Sequence, residues 1–212
     1  DADGVRVAVA LPPYSLTTLR RGARRPAPPT RPTPGGRVLE NELIRYEFDE
    51  TAVITRITDK ARATELLPPG ARGNVLTIYA DRPHNYDAWE VDVWYQEMPV
   101  ERARPVSCGH LEAGPVCAAL AFTLAIGDGT TIRQRVRLAH NSRRLDFETE
   151  VDWQERHRML RVAFDTGIET AEGTCDIQYG YLRRPTHRNT SWDMARFEVA
   201  AHRYADLSDH QH

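Results

Sequence analysis

Polar and apolar positions alternate with a period of two through most of this chain. Val5, Val7, Val9 and Leu11 make the first such run. In LIRYEFD, Ile44, Tyr46 and Phe48 face one way and Arg45 and Glu47 the other. NVLTIYAD follows the turn signal PPGARG, and Leu120, Phe122, Leu124 and Ile126 alternate up to the turn GDG. Such alternation marks strands with one buried face. No stretch combines a helical period with caps. The pattern predicts an all-β, mostly antiparallel fold.

One hairpin can be placed in register. Ile132, Gln134, Val136 and Leu138 share a face, and Arg133, Arg135 and Arg137 share the other. The next strand alternates Leu145, Phe147, Thr149, Val151 and Trp153 with Asp146, Glu148, Glu150 and Asp152. A two-residue turn at Asn141-Ser142 sets Arg137 opposite Asp146, Arg135 opposite Glu148 and Arg133 opposite Glu150. The same register pairs Leu138 with Leu145 and Val136 with Phe147. A slip by one residue breaks both sets together. The charged rows read better as cross-strand ion pairs, each worth about 0.2–1 kcal/mol, than as catalytic carboxylates.

Composition narrows the classes. The chain has 212 residues, 41% of them apolar, and a net charge of −2. That is enough for a real core, and the near-neutral balance argues against a general nucleic-acid binder. No apolar run reaches the roughly 18 residues of a membrane span, and no signal peptide opens the chain. Cys108, Cys117 and Cys175 are too few and too scattered for a disulfide framework or a zinc knuckle. Free thiols in a cytoplasmic protein are the expectation; a Cys108–Cys117 bridge stays open. Residues 23–36, ARRPAPPTRPTPGG, are rich in proline and read as an extended linker after a short leading strand region. The abrupt start and end suggest a piece of a longer protein.

Four segments together resemble one family. They are ENELIRYEFDETAVITRITDK (Glu40–Lys60), NVLTIYADRPHNYDAWEVD (Asn74–Asp92), LDFETEVDWQERHRMLRVAF (Leu145–Phe164) and QYGYLRRPTHRNTSWDMARFEVAAHRYADLSD (Gln178–Asp209). Their order and approximate spacing are similar to the C-terminal β-region of glycoside hydrolase family 38 α-mannosidases. DAWEVD and RPTHRNTSWD are the specific parts. Ala52 departs from the family, whose members often carry glycine at that turn. LPPYSLTTL resembles the last strand of the small sandwich that precedes this region. The resemblance implies an antiparallel supersandwich of the galactose mutarotase type over residues 37–212, continuing past them. It implies residues 1–22 as the end of a preceding small sandwich and 23–36 as linker.

The family also implies retaining hydrolysis of α-mannosides, with an aspartate nucleophile and a zinc ion gripping the sugar. In the family those groups sit in an N-terminal α/β barrel, and no alternating strand–helix pattern here carries one. No catalytic residue and no metal ligand is therefore assigned to this chain, which alone is expected to be inactive. Zinc is expected in the catalytic domain of the parent enzyme. The implied partners are mannose-containing glycans or oligosaccharides and the chain's own N-terminal barrel, with no nucleic acid and no membrane.

The candidate binding residues are Arg184, His187, Asn189 and Trp192, with Asp87 and Trp89. In RRPTHRNTSWD, Pro185 biases Arg184 toward extended backbone. Planar hydrogen bonders beside an aromatic face are what sugars bind to. The same residues would equally suit an interface with other domains, or bracing within the loop. In DRPHNYDAWEVD, Asp81, His84, Asp87, Glu90 and Asp92 are metal-ligand types without a metal-ligand spacing. The plainer reading has Asp87 closing the turn through backbone amides, with Trp89 and Trp94 packed on the sheet. His210 and His212 form a His-x-His pair at the terminus. Glu198 and His202, about 13 Å apart along a strand at ~3.3 Å per residue, make no ready acid–base dyad. A stand-alone carbohydrate-binding module and a mutarotase-like epimerase are the alternatives.

Overall fold

The alternating runs become strands in the computed structural model, which describes Pro13, Tyr14, Leu16, Thr18 and residues 36–209 apart from Ala88 and Pro115. The leading strand run, the proline-rich linker up to Pro34 and the terminal His-x-His pair lie outside the described residues. The chain divides into two compact units at Asp165/Thr166. The first holds β1 (Val38–Glu40), β2 (Ile44–Phe48), β3 (Ile54–Asp59), β4 (Thr64–Glu65), β5 (Val75–Ala80), β6 (Pro99–Arg102), β7 (Arg104–Ala113), β8 (Cys117–Ile126), β9 (Thr130–Ala139), β10 (Leu145–Asp152) and β11 (Arg158–Ala163). The second holds β12 (Glu172–Ile177), β13 (Gly180–Pro185), helix α1 (Ser191–Ala195) and β14 (Ala205–Asp206).

Three sheets build the first unit, ordered β1-β2-β3-β4, β10-β9-β8-β7 and β11-β5-β6. Each pair is antiparallel. One apolar face from each meets in a single core. The first sheet gives Leu39, Ile44, Tyr46 and Phe48, the second Leu120, Phe122, Leu124, Ile132, Val136 and Leu138, and the third Leu76 and Ile78. Phe48 and Phe122 join two of the sheets with ring centroids 6.0 Å apart. Each such side chain contributes about 1.5–3 kcal/mol on burial. The antiparallel all-β class expected from the alternation is what the strands form.

The hairpin register is the one the pattern dictates. Arg137 faces Asp146, Arg135 faces Glu148, Arg133 faces Glu150, and Leu138 faces Leu145. The charged pairs approach to 3.5, 3.6 and 3.5 Å on a largely solvated face, where each adds little. The tight turn, in contrast, does not form. The β9–β10 pairing ends at Leu138 with Leu145, and residues 140–144 lie outside both strands. Distant groups take its backbone. Asn41 Nδ2 donates to Ala139 O at 2.9 Å and Ser142 O at 2.6 Å, Tyr46 Oη donates to Arg143 O, and His140 N donates to Val116 O. Burial pushes the Tyr46 phenol up to about 12, with Arg143 opposing.

Two other expectations are corrected. Trp89 and Trp94 do not pack on the sheet: they are 90% and 62% exposed. Tyr95 takes the buried place, edge-on to Tyr79 at 5.4 Å and under the Arg161 guanidinium. Glu198 and His202 share no strand, because only Ala205–Asp206 pairs in that segment. None of the three cysteines forms a disulfide. Cys108 pairs across the ladder with Phe122 and Cys117 with Ala139, so the two thiols are not set for a bridge.

Asn74 sits at the centre of the first unit. It is buried, with φ at +59°. Its Nδ2 donates to Ala52 O at 2.9 Å and to Gln134 Oε1 at 2.7 Å, and Gln134 Nε2 donates to Thr149 Oγ1 at 3.0 Å. Ala52, fully buried at φ +64°, holds the turn position where glycine is common in the resembling family. Replacing Asn74 strands a buried carbonyl and a buried amide, each worth about 1–3 kcal/mol. Asn74→Gly keeps the positive φ and should lower stability by about 2–4 kcal/mol in urea unfolding. Asn74→Ala should lose more, because its Cβ resists that backbone. An unchanged midpoint for Asn74→Gly would show that the amide network contributes nothing.

Candidate functional site

The polar stretch from Gly180 to Asp193 is half strand and half cap. Gly180–Pro185 pairs with β12 along its whole length, so Arg183 and Arg184 ride on a strand rather than a loop. The extended backbone that Pro185 imposes on Arg184 is thus taken up by a ladder. Thr186–Asn189 then leads into the short helix α1. Thr190 caps it: its hydroxyl accepts from Asp193 N, and Asp193 Oδ2 accepts from Thr190 N at 3.1 Å. This reciprocal capping box fixes where the segment turns.

The turn leaves a cleft of 480 Å³ in the second unit. Arg184 and His187 both line it. Arg183, Arg188, Asp193 and Arg196 line it too, with Leu182, Phe197 and Val199 as an apolar wall. Asn189 and Trp192 are not among its lining residues. Trp192 is 75% exposed, with its face open to solvent. Arg196 and Asp193 were missed in the sequence. The signal that could have found Asp193 is the spacing Thr190-x-x-Asp193, which places a carboxylate back against the loop.

The electrostatics of the cleft centre on Asp193. Its carboxyl is held below the ordinary aspartate value of 3.8, first by the donating Thr190 hydroxyl; desolvation opposes, and His187 and Arg196 add attraction. His187 Nδ1 lies 3.5 Å from Asp193 Oδ2. Arg183 turns to Glu172 at 3.8 Å. Arg184 donates through one terminal nitrogen to Ala200 O, and its Nε is buried without a hydrogen-bond partner. Below the cleft, Asp176 is buried and accepts from Arg203 N and Tyr204 N, which ties the returning chain to β12. Those two amides are the main reason its carboxyl is also held below 3.8.

Asp87 and Trp89 belong to the first unit. Trp89 N and Glu90 N both donate to Tyr86 O, closing a tight turn at Tyr86, φ +51°. Asp92 Oδ2 accepts from His84 N at 2.7 Å, so this carboxylate closes the DRPHNYDAWEVD loop. Asp87 Oδ2 faces His157 Nδ1 at 3.6 Å, at the surface. Trp89 projects beside it as an open aromatic face.

Residues 39–212 match the sequence profile described as "Glycosyl hydrolases family 38 C-terminal domain". The chain belongs to that family. This glycosyl hydrolase family 38 C-terminal domain is 37% identical to Alpha-mannosidase 2C1 of Homo sapiens over 204 residues, covering 94% of this chain and 19% of that protein. It is 34% identical to Alpha-mannosidase G of Dictyostelium discoideum, covering 83% of this chain and 17% of that one. It is 30% identical to Alpha-mannosidase of Saccharomyces cerevisiae, covering 82% and 17%. The chain therefore spans less than a fifth of the curated relatives it matches. A crystal structure of an alpha-mannosidase from Enterococcus faecalis V583 superposes with a TM-score of 0.59 at 18% identity, over 79% of this chain and 21% of that one. That likeness shows a shared fold.

Among the described residues, no three His, Cys, Asp or Glu side chains gather to hold a metal ion. Nor do the described residues contain a helix long and apolar enough to cross a membrane.

Both Asp176 and Asp193 have depressed folded values. The stability they contribute is complete above the unfolded value of 3.8 and is lost as pH falls through the lower folded value. Hydrogen-exchange protection of Arg203 and Tyr204 amides should hold at neutral pH and fall only in strong acid. In Asp176→Asn that acid step should shrink. An identical acid profile in the variant would detach Asp176 from the stability of this unit.

Proposed function

We propose that this chain is the non-catalytic C-terminal β-region of a cytoplasmic retaining α-mannosidase acting on mannose-containing glycans. Its physical work is to support a zinc-dependent catalytic barrel supplied by other residues, and to present the Arg184–His187 cleft toward the mannoside. The carrying observation is identity of 30–37% with α-mannosidases across more than four-fifths of the chain. The arrangement of polar groups agrees with this reading. His187 is engaged with Asp193 as a cap partner, which serves shape more directly than proton transfer. Glycoside hydrolysis takes two carboxyl groups about 5–10 Å apart across the scissile bond. Among the described residues, Asp193 is the one carboxylate that lines the cleft.

A second reading, a carbohydrate-binding module acting alone, draws on Trp89 and Trp192, two exposed faces suited to stacking on a sugar ring. The two readings separate in one set of assays. The 212-residue chain, folded by circular dichroism and supplied with zinc, should not hydrolyse an aryl α-mannoside. In the intact enzyme, Arg184→Ala and His187→Ala should each lower kcat/KM by about tenfold or more, about 1.4 kcal/mol of transition-state binding. The thermal midpoint should stay in place, since His187 is exposed and Arg184 makes only one long hydrogen bond, to Ala200 O. Unchanged kinetics would remove the cleft from the mannoside site. Saturable binding of mannosides by the isolated chain, lost in Trp192→Ala, would favour the module.

A further inference from the structure

The sheet of the second unit has little apolar cover and one open edge. Among the described residues of this unit, Cys175 is the one buried apolar side chain. A small sheet gains independent stability from a covered apolar face. β13 ends the order β13-β12-β14, so among the described residues no strand pairs with its far side. The direction of its main-chain groups follows from two bonds. Thr186 N donates to Ala171 O at 3.1 Å, one step beyond the β12–β13 ladder, and Asp176 N donates away from β13, to Tyr204 O at 3.1 Å. Bonding direction alternates along an antiparallel pair. Arg184, Leu182 and Gly180 therefore bond inward to β12, and the N–H and C=O groups of Tyr181 and Arg183 point outward. Pro185 also falls at an outward position, so its missing N–H costs the β12 ladder nothing. Proteins blunt the edges that they leave in water. The β7 edge carries Pro105 and register shifts at Pro105/Ser107 and His110/Glu112, and the β5–β6 ladder shifts at Ile78/Tyr79. The β10 edge alternates with Asp146, Glu148, Glu150 and Asp152. The β12–β13 ladder is regular over all 6 residues of β13. Its outward row is the exposed Tyr181 and Arg183. One arginine there resists a basic strand and favours an acidic one.

We propose that β13 takes a fourth strand on this edge, an extended segment of the intact polypeptide outside these 212 residues. The segment carries an apolar side chain beside Tyr181 and an acidic one, two positions away, beside Arg183. Tyr181 and Arg183 stand opposite Asp176 and Thr174, so both lie on one face of the sheet. Directly opposed side chains on neighbouring strands sit about 4.5–5.5 Å apart, within reach of a guanidinium and a carboxylate. An edge of 6 residues is too short for a second copy or a free partner, because stable interfaces bury about 1,200–2,000 Å². A tethered segment acts instead at the high effective concentration that a shared chain gives it. The chain spans less than a fifth of the α-mannosidases it matches. The inference rests on the reading of this chain as one part of such an enzyme.

The test is hydrogen exchange, read residue by residue by mass spectrometry, on the 212-residue chain and on the intact enzyme. In the 212-residue chain the Leu182 and Arg184 amides should be protected, and the Tyr181 and Arg183 amides should exchange freely. In the intact enzyme the latter two should slow by about 100-fold or more. Free exchange there would overturn the proposal. Slow exchange of Tyr181 and Arg183 already in the 212-residue chain, growing with its concentration, would give the edge to a second copy and overturn it too. A proline variant separates strand pairing from plain cover. Arg183→Pro removes an outward donor, so Leu182 should stay protected in the 212-residue chain while Tyr181 of the intact enzyme returns to free exchange. A Tyr181 amide that stays slow in that variant would mean burial without a strand, against the proposal. Arg183→Glu keeps the donor and reverses the charge. It should speed Tyr181 exchange about tenfold in the intact enzyme, and Arg183→Lys should not. Equal exchange in these two variants would overturn the acidic part. Hydrolysis of an aryl α-mannoside by the intact enzyme keeps the two readings apart. Open Tyr181 and Arg183 amides in an active enzyme sink this inference alone. Slow amides in an inactive enzyme sink only the mannosidase reading.

Discussion

A buried amide pair sets the terms for the first unit. Asn74 leads into the third sheet, reaches the β2–β3 turn of the first sheet through Ala52 O, and meets Gln134 of the second sheet. Gln134 passes the chain of bonds on to Thr149 of β10. Three sheets are thus tied through the buried Asn74, Ala52 and Gln134. An apolar core tolerates substitution of one hydrocarbon for another. It does not tolerate an unpaired amide, which costs about 1–3 kcal/mol. Sliding any sheet by one residue would preserve some greasy contact but would orphan these atoms. Apolar burial supplies the driving force, and the amides select the arrangement.

The same division explains what could be read from the chain. Alternation gave β2, β9 and β10 because one face of each is apolar and the other charged, and β8 because Leu120, Phe122, Leu124 and Ile126 alternate with small residues. The β9–β10 register was legible because acidic and basic rows meet only in one alignment, Arg137 with Asp146 and Leu138 with Leu145. The turn between them was not legible. Its carbonyls are bonded by Asn41 and Tyr46, about a hundred positions away in the chain. Local rules assign a turn from its own residues, and these were overruled by partners that only the folded core brings close. Gln134 hid for a related reason. It sits in an apolar row, and nothing in the sequence marks Asn74 as its counterpart.

Site residues were legible as types and not as an arrangement. The density of arginine, histidine and asparagine around Pro185 marked the stretch, of which Arg184 and His187 line the cleft. It did not separate them from Asn189 and Trp192, which fall outside the lining, because residue type says nothing about where a chain reverses. The capping box at Thr190 and Asp193 decides that reversal, and it does so with one of the cleft's own acids. Trp89 and Trp94 were misjudged for the opposite reason. Aromatic residues beside a sheet usually bury, yet Tyr95 already fills the place next to Tyr79.

The two units of this domain are held in different ways. The first has an amide-keyed core. The second is a three-stranded sheet whose returning chain is fixed by hydrogen bonds, Thr190 with Asp193 within one turn and Asp176 with the Arg203 and Tyr204 amides far along the chain. Both carboxylates are held below the ordinary aspartate value by the groups that donate to them. Hydrogen bonds to an ionised acceptor are stronger than neutral ones, so two aspartates fix the course of the chain in a unit with few buried apolar side chains.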